Sequence, residues 1–162
     1  MALENLSTKV ESASFANIVR ALMPEMPDPV LSALERIGQL RFYEAGCVVA
    51  QERTESQGVV VLCSGLVTVS LQSAAGMTVK LREIAAPATL GLSETMLGQT
   101  FKASIRCAKP VEAAFLPAPQ FLAVMRQFPA ASLQFSGLVT QELHAMYARL
   151  LELRKRIPPA AP

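Results

Sequence analysis

The side chains best suited to ligate a metal or attack a substrate are few: Cys47, Cys63, Cys107 and a single histidine, His144. The cysteines are scattered, with no C-x-x-C pair, which fits thiols kept in a reducing compartment. An iron–sulfur cluster usually takes four thiolates, one more than the chain carries. A metal centre of histidines and a carboxylate needs more than one imidazole. A Ser-His-Asp relay would have to be built on a histidine that lies in what reads as a long helix, and no phosphate loop of the Walker kind occurs. Haem ligation by His144 is the one metal chemistry a lone side chain could begin. The cysteines read as small core residues on strands. These counts predict neither an enzyme nor a metal site.

The spacing of apolar residues says more. Val139, Leu143, Met146, Leu150, Leu153 and Ile157 step by four and three in alternation. That is the seam of a two-stranded coiled coil rather than the broader stripe of an ordinary core helix. Burying each seam side chain is worth about 1.5–3 kcal/mol, so the ladder predicts a homodimer through a helix over about 130–157. Residues 158–162, Pro158-Pro159-Ala160-Ala161-Pro162, read as a tail. Arg154-Lys155-Arg156 reads as a cationic last turn that favours the negative end of the helix dipole, not as a DNA contact.

Upstream, Phe15, Ile18, Val19 and Leu22 keep helical spacing within Ser14–Met23, and Pro24 and Pro27 break it. Asp28-Pro29 has the form of an N-cap followed by proline at the first helical position. The second helix would carry Val30, Leu31, Leu34 and Ile37 and stop at Gly38. From Leu40 short apolar or alternating runs sit between turns: Leu40–Tyr43, Cys47–Ala50, Val59–Cys63, Leu66–Leu71, Thr78–Ile84, Phe101–Cys107 and Val111–Leu116. Many short strands at regular spacing predict a sandwich or barrel. Gln120–Phe128 reads as a short helix, and Pro129 opens the long one.

The totals bound the rest. With 162 residues, 51% of them hydrophobic, the chain suits one domain with a real core. A net charge of +2 singles out no partner, and 6% aromatics without Trp argue against stacking on single-stranded nucleic acid. No apolar stretch reaches membrane-span length, and the polar opening around Glu4-Asn5 lacks a signal-peptide core. A cytoplasmic protein with no membrane contact is expected.

The order helix, roll, short helix, long dimer helix resembles the cyclic-nucleotide-binding domain of CRP/FNR-type regulators. The resemblance rests on Phe42 through Gly46, on Cys63-Ser64-Gly65-Leu66-Val67, on Gly91 through Leu97, and on Phe121 to Pro129 running into the dimer helix. It covers about Ser14 to Ile157 within a domain of 1–157. It implies a mainly β, α+β fold: a double-stranded β-helix (jelly roll) over about 40–116, with N-terminal helices and a long C-terminal dimerisation helix. The family usually carries a helix-turn-helix after that helix. Only five residues follow Ile157 here, so no direct DNA binding by this stretch is expected, and a protein partner is the alternative output.

The resemblance also implies a ligand site: Gly91, Leu92, Ser93 and Glu94, then Lys102, Ala103 and Ser104, with Tyr147 approaching from the long helix. Members that bind cyclic AMP typically place Glu just after the glycine and Arg about eleven positions beyond it. Leu92 and the run Phe101-Lys102-Ala103-Ser104 depart from both. Glu94 and Lys102 are partial substitutes, but lysine is a point charge without the guanidinium fork. Arg106 shares a strand face with Ser104. Two functions compete. One is an effector-sensing regulatory module that binds cyclic AMP, cyclic GMP or another small effector and signals through paired helices. The other is a ligand-free dimerisation protein with a degenerate pocket.

Overall fold

The computed structural model describes residues 12–156, with side chains from Phe15 onward. Helices α1 (Ser12–Leu22) and α2 (Asp28–Ile37) lead into eight strands: β1 (Gln39–Tyr43), β2 (Val48–Ala50), β3 (Gly58–Ser64), β4 (Leu66–Gln72), β5 (Thr78–Ala85), β6 (Ala88–Leu90), β7 (Ser104–Cys107) and β8 (Val111–Pro117). A short α3 (Leu92–Leu97) separates β6 from β7, and α4 (Ala118–Gln127) and α5 (Pro129–Arg156) close the chain. The strands form two antiparallel sheets of order β1-β8-β3-β6 and β2-β7-β4-β5. This is the expected jelly roll with flanking helices.

Burial explains the strand patterns. In β4 Val67 and Val69 are buried while Thr68 and Ser70 are half-exposed, so one face packs and the other is wet. The unbroken apolar run of β3 has a different cause: both of its faces are covered. Val60 and Leu62 pack between the sheets, while Val59 and Val61 pack against the helices. That second cluster joins Phe15, Leu34, Phe121 and Phe135, the last two edge-to-face at 5.2 Å between ring centroids. The β3–β4 turn needs Gly65, whose φ is +99° and where a Cβ would stand 2.4 Å from the Pro110 carbonyl oxygen.

Several expectations are corrected. Asp28 is not the N-cap of α2. Pro27 holds that position with no side-chain cap bond, and Asp28 is the first helical residue, its carboxylate accepting from Arg20. The strand expected over Phe101–Cys107 starts only at Ser104, because Phe101 and the residues after it complete the turn out of α3. The strand β6 was not anticipated: Ala88-Thr89-Leu90 behind Pro87 offers no apolar run like that of Cys47–Ala50. Of the cysteines, only Cys107 is a buried core residue; Cys47 is exposed in the turn before β2 and Cys63 is half-buried. Burial pushes the Cys63 and Cys107 thiols up, with Glu112 adding to the first and Cys47 to the second, the opposite of what a thiolate nucleophile needs.

The 28-residue α5 is about 42 Å long. Its start is anchored by Ala131 and Phe135, and Val139 packs against the same intrachain cluster. The first rung of the predicted seam therefore serves its own subunit. The next four rungs stay half-exposed: Leu143 48%, Met146 52%, Leu150 55% and Leu153 47%. Ile157 and the tail lie outside the described residues.

Candidate functional site

The turn after β6 is built around a close approach. Gly91 has φ +73°, and a Cβ there would sit 3.1 Å from both the Gly58 carbonyl oxygen and the Phe101 ring and 3.3 Å from Ser56 Oγ. Only glycine takes this conformation freely. Behind it, Thr95 Oγ1 lies 2.7 Å from Ser56 Oγ, and Ser56 Oγ donates to the Gly58 carbonyl at 2.9 Å. This part-buried hydroxyl pair staples α3 to the loop before β3. Leu92, next to the glycine, is 1% exposed and belongs to the cluster beneath the helices.

Ser93 and Glu94 are half-buried, with Ser93 Oγ donating to Glu94 Oε2 at 3.1 Å. The middle of α5 meets α3 here. Burial raises the Glu142 carboxyl pKa above the usual carboxylate range, Arg82 opposes the rise and Glu94 adds to it. Arg82 reaches this place by register. It pairs with Val69 and Ile84 pairs with Val67, so both share the face of two buried valines. No ion pair within 4.0 Å joins Arg82, Glu94 and Glu142 among the described residues.

The remaining predicted residues are more dispersed. Lys102 is exposed and Ala103 half-buried. Ser104 Oγ accepts from the Glu52 backbone N–H at 2.9 Å, so its hydroxyl closes the loop after β2. Arg106 donates from Nη1 to the Gly46 carbonyl at 2.6 Å and braces a turn. Tyr147 is 59% exposed on α5 and His144 is exposed beside it. A separate cavity of about 160 Å³ opens between the sheets on the β1 and β2 side, with Arg41, Glu55, Phe101 and Phe115 among its walls and none of the eight predicted ligand residues. Sequence reasoning missed the Ser56–Thr95 staple, the Arg82–Glu142 approach and this cavity. Only Arg82 left a legible signal, as a charge on the same face of β5 as Ile84.

The architecture is a roll capped by a short helix on a glycine turn, with a long helix meeting that cap. The model of the cyclic nucleotide-binding domain family matches residues 40–128, more than half of the chain, and the chain belongs to that family. A comparison with curated proteins found no match. Among solved structures, it is similar to the Thermus thermophilus catabolite activator protein (TM-score 0.70, 19% identity, covering 82% of this chain and 62% of that one). It is also similar to the sensor domain of the transcriptional regulator DNR from Pseudomonas aeruginosa (TM-score 0.64, 14% identity, 93% and 98%). A third is the regulatory domain of Toxoplasma gondii PKA, solved with cAMP (TM-score 0.69, 9% identity, 83% and 50%). The chain thus spans less than two thirds of the Thermus and Toxoplasma chains, and these likenesses carry the fold. No helix among the described residues is long and apolar enough to cross a membrane.

Proposed function

We propose that this chain is an effector-sensing regulatory module, which binds a small ligand in the β-roll and signals through a homodimer of its α5 helices. The observation that carries this reading is the course of α5. It meets α3, with Glu142 within electrostatic reach of Glu94 and of Arg82 in β5, and from Leu143 to Leu153 its apolar rungs are half-exposed. One rigid element therefore joins the wall of the roll to a surface suited to a second helix. A ligand that prefers one placement of α5 shifts the pairing by its differential affinity for the two placements. Regulation of transcription or signalling in the cytoplasm, with a protein partner as a candidate recipient of the signal, is the matching role.

The buried Leu92 and the exposed Lys102 leave the Gly91 turn without the carboxylate and guanidinium that the resemblance leads one to seek. This favours an effector other than cyclic AMP, and it is also the observation that favours the second reading, a dimerisation protein without a ligand. Thermal-shift titration with cyclic AMP, cyclic GMP and haem separates these, because a ligand that binds only the native state raises its apparent stability. Saturable stabilisation by a nucleotide or haem supports sensing of that molecule. A flat response to all three removes these effectors and leaves the roll to another ligand or to none.

A further inference from the structure

We infer that the cavity between the sheets, on the Arg41 side of the roll, is a binding site for a small organic carboxylate with an apolar body. The site is distinct from the Gly91 turn: none of Gly91, Leu92, Ser93, Glu94, Lys102, Ala103, Ser104 and Tyr147 lines it. Its defining feature is Arg41. In the β1–β8 ladder Arg41 pairs with Ala113 and Gln39 with Phe115, so Arg41 shares the inter-sheet face with Phe115. The guanidinium carbon lies 3.7 Å from the centre of the Phe115 ring, which is 7% exposed. Stacking on an aromatic face fixes the guanidinium plane. It does nothing for the five N–H donors at the edge of that plane.

Those donors have no partner. Among the described residues Arg41 makes no ion pair within 4.0 Å and no side-chain hydrogen bond. Its nitrogens stay open to solvent, since no side-chain nitrogen among the described residues is buried without a partner, so an incoming acceptor can reach them. Arg41 is held in place, with its donors beside a cavity of about 160 Å³, roughly five times the volume share of one water. The planar fork of one guanidinium matches the two oxygens of one carboxylate. A phosphate dianion fits less well, because there is one cation and because Glu55, exposed at the same mouth, repels a second negative charge. Val60, Leu90 and Phe101 supply apolar wall for the body of the acid, and the volume limits that body to something near a single ring or a short branched chain. The inference rests on the reading of the roll as a ligand site but not on signalling through α5.

Benzoate and 4-methylpentanoate are the probes, and benzamide and 4-methylpentanamide are their uncharged counterparts. Titration of the full chain by calorimetry, with amide ¹H–¹⁵N shifts to locate binding, should show saturable binding of the acids, shifts centred on β1 and the 51–57 loop, and binding of the uncharged pair at least tenfold weaker. Arg41→Met should weaken acid binding by about ten- to a hundredfold, as expected for loss of a charge-assisted bidentate contact, and Arg41→Lys should fall between. The comparison of acid with amide on the wild-type chain needs no variant to fold. Equal binding of benzoate and benzamide, or acid binding unchanged in a folded Arg41→Met chain, would overturn the assignment while keeping the roll as a ligand site. No binding of either acid at 10-millimolar concentrations (on the order of the weakest useful affinity) would overturn it outright, leaving the sensor reading to the nucleotide and haem titrations.

Discussion

Leu92→Glu asks whether the residue after Gly91 belongs to the core or to a pocket. At 1% exposure, packed with Phe15, Leu34 and Phe121 in the helical cluster, Leu92 contributes nearly its full burial. That is worth about 1.5–3 kcal/mol. A glutamate there also leaves a buried charge without a partner, and an uncompensated buried charge costs about 3–5 kcal/mol. The two terms overlap, because both describe one side chain that no longer fits the core, so the larger sets the scale. Taking about 3–5 kcal/mol as the working figure, and about 2–4 °C per kcal/mol for a chain of 150–250 residues, the melting temperature should fall by about 6–20 °C. Burial raises the new carboxyl's pKa, so the deficit should shrink as pH falls through that raised value and the group neutralises. Leu92→Met conserves volume and should lose less than about 1.5 kcal/mol. Urea and thermal unfolding of both variants, with and without cyclic AMP, give the readout. A Leu92→Glu chain that melts with the wild type, or that gains saturable stabilisation by cyclic AMP, would refute the reasoning by showing the position to be pocket wall.

Two further outcomes follow from α5. Leu143→Glu with Leu150→Glu removes side chains about half of whose area remains to be buried, 48% and 55%; four such losses per dimer amount to about 3–6 kcal/mol, or about 10²- to 10⁴-fold in Kd, and light scattering at micromolar protein should find monomer with unchanged circular dichroism. Glu142→Gln tests the crowded carboxylate. Its folded pKa is raised, so the stability linked to its protonation is complete below the unfolded value and is lost as pH rises through the folded one. The variant should therefore melt above wild type at pH 7 and level with it near pH 4, and a constant gap at both pH values would point to packing rather than charge.

How much could be read beforehand depended on the length of each pattern. Seven of the eight strands and all the long helices were legible because their apolar periods run over several residues, as Val67, Val69 and Leu71 do in β4. The strand β6 and the helix α3 were harder, since Ala88-Thr89-Leu90 has a threonine where β2 has an unbroken apolar run, and six residues hold less than two helical turns. At the site, Gly91 was legible through the resemblance, and the left-handed turn supplies its reason. The roles of Ser56, Ser104 and Arg106 were not, because each is set by a partner 39 to 60 positions away that only the tertiary fold brings near. Arg41 lies within the run Leu40–Tyr43, where nothing in the sequence sets it apart. Its stacking on Phe115 depends on pairing β1 with β8, across most of the roll.

The pairing of two α5 helices is the premise on which signalling rests, and the mass of the wild-type chain in solution tests it most directly. Sedimentation equilibrium at about 10–100 micromolar, the range in which a micromolar Kd is read, should return twice the 17.4 kDa of one chain. A mass of 17.4 kDa across that whole range, with the protein folded, would contradict the account.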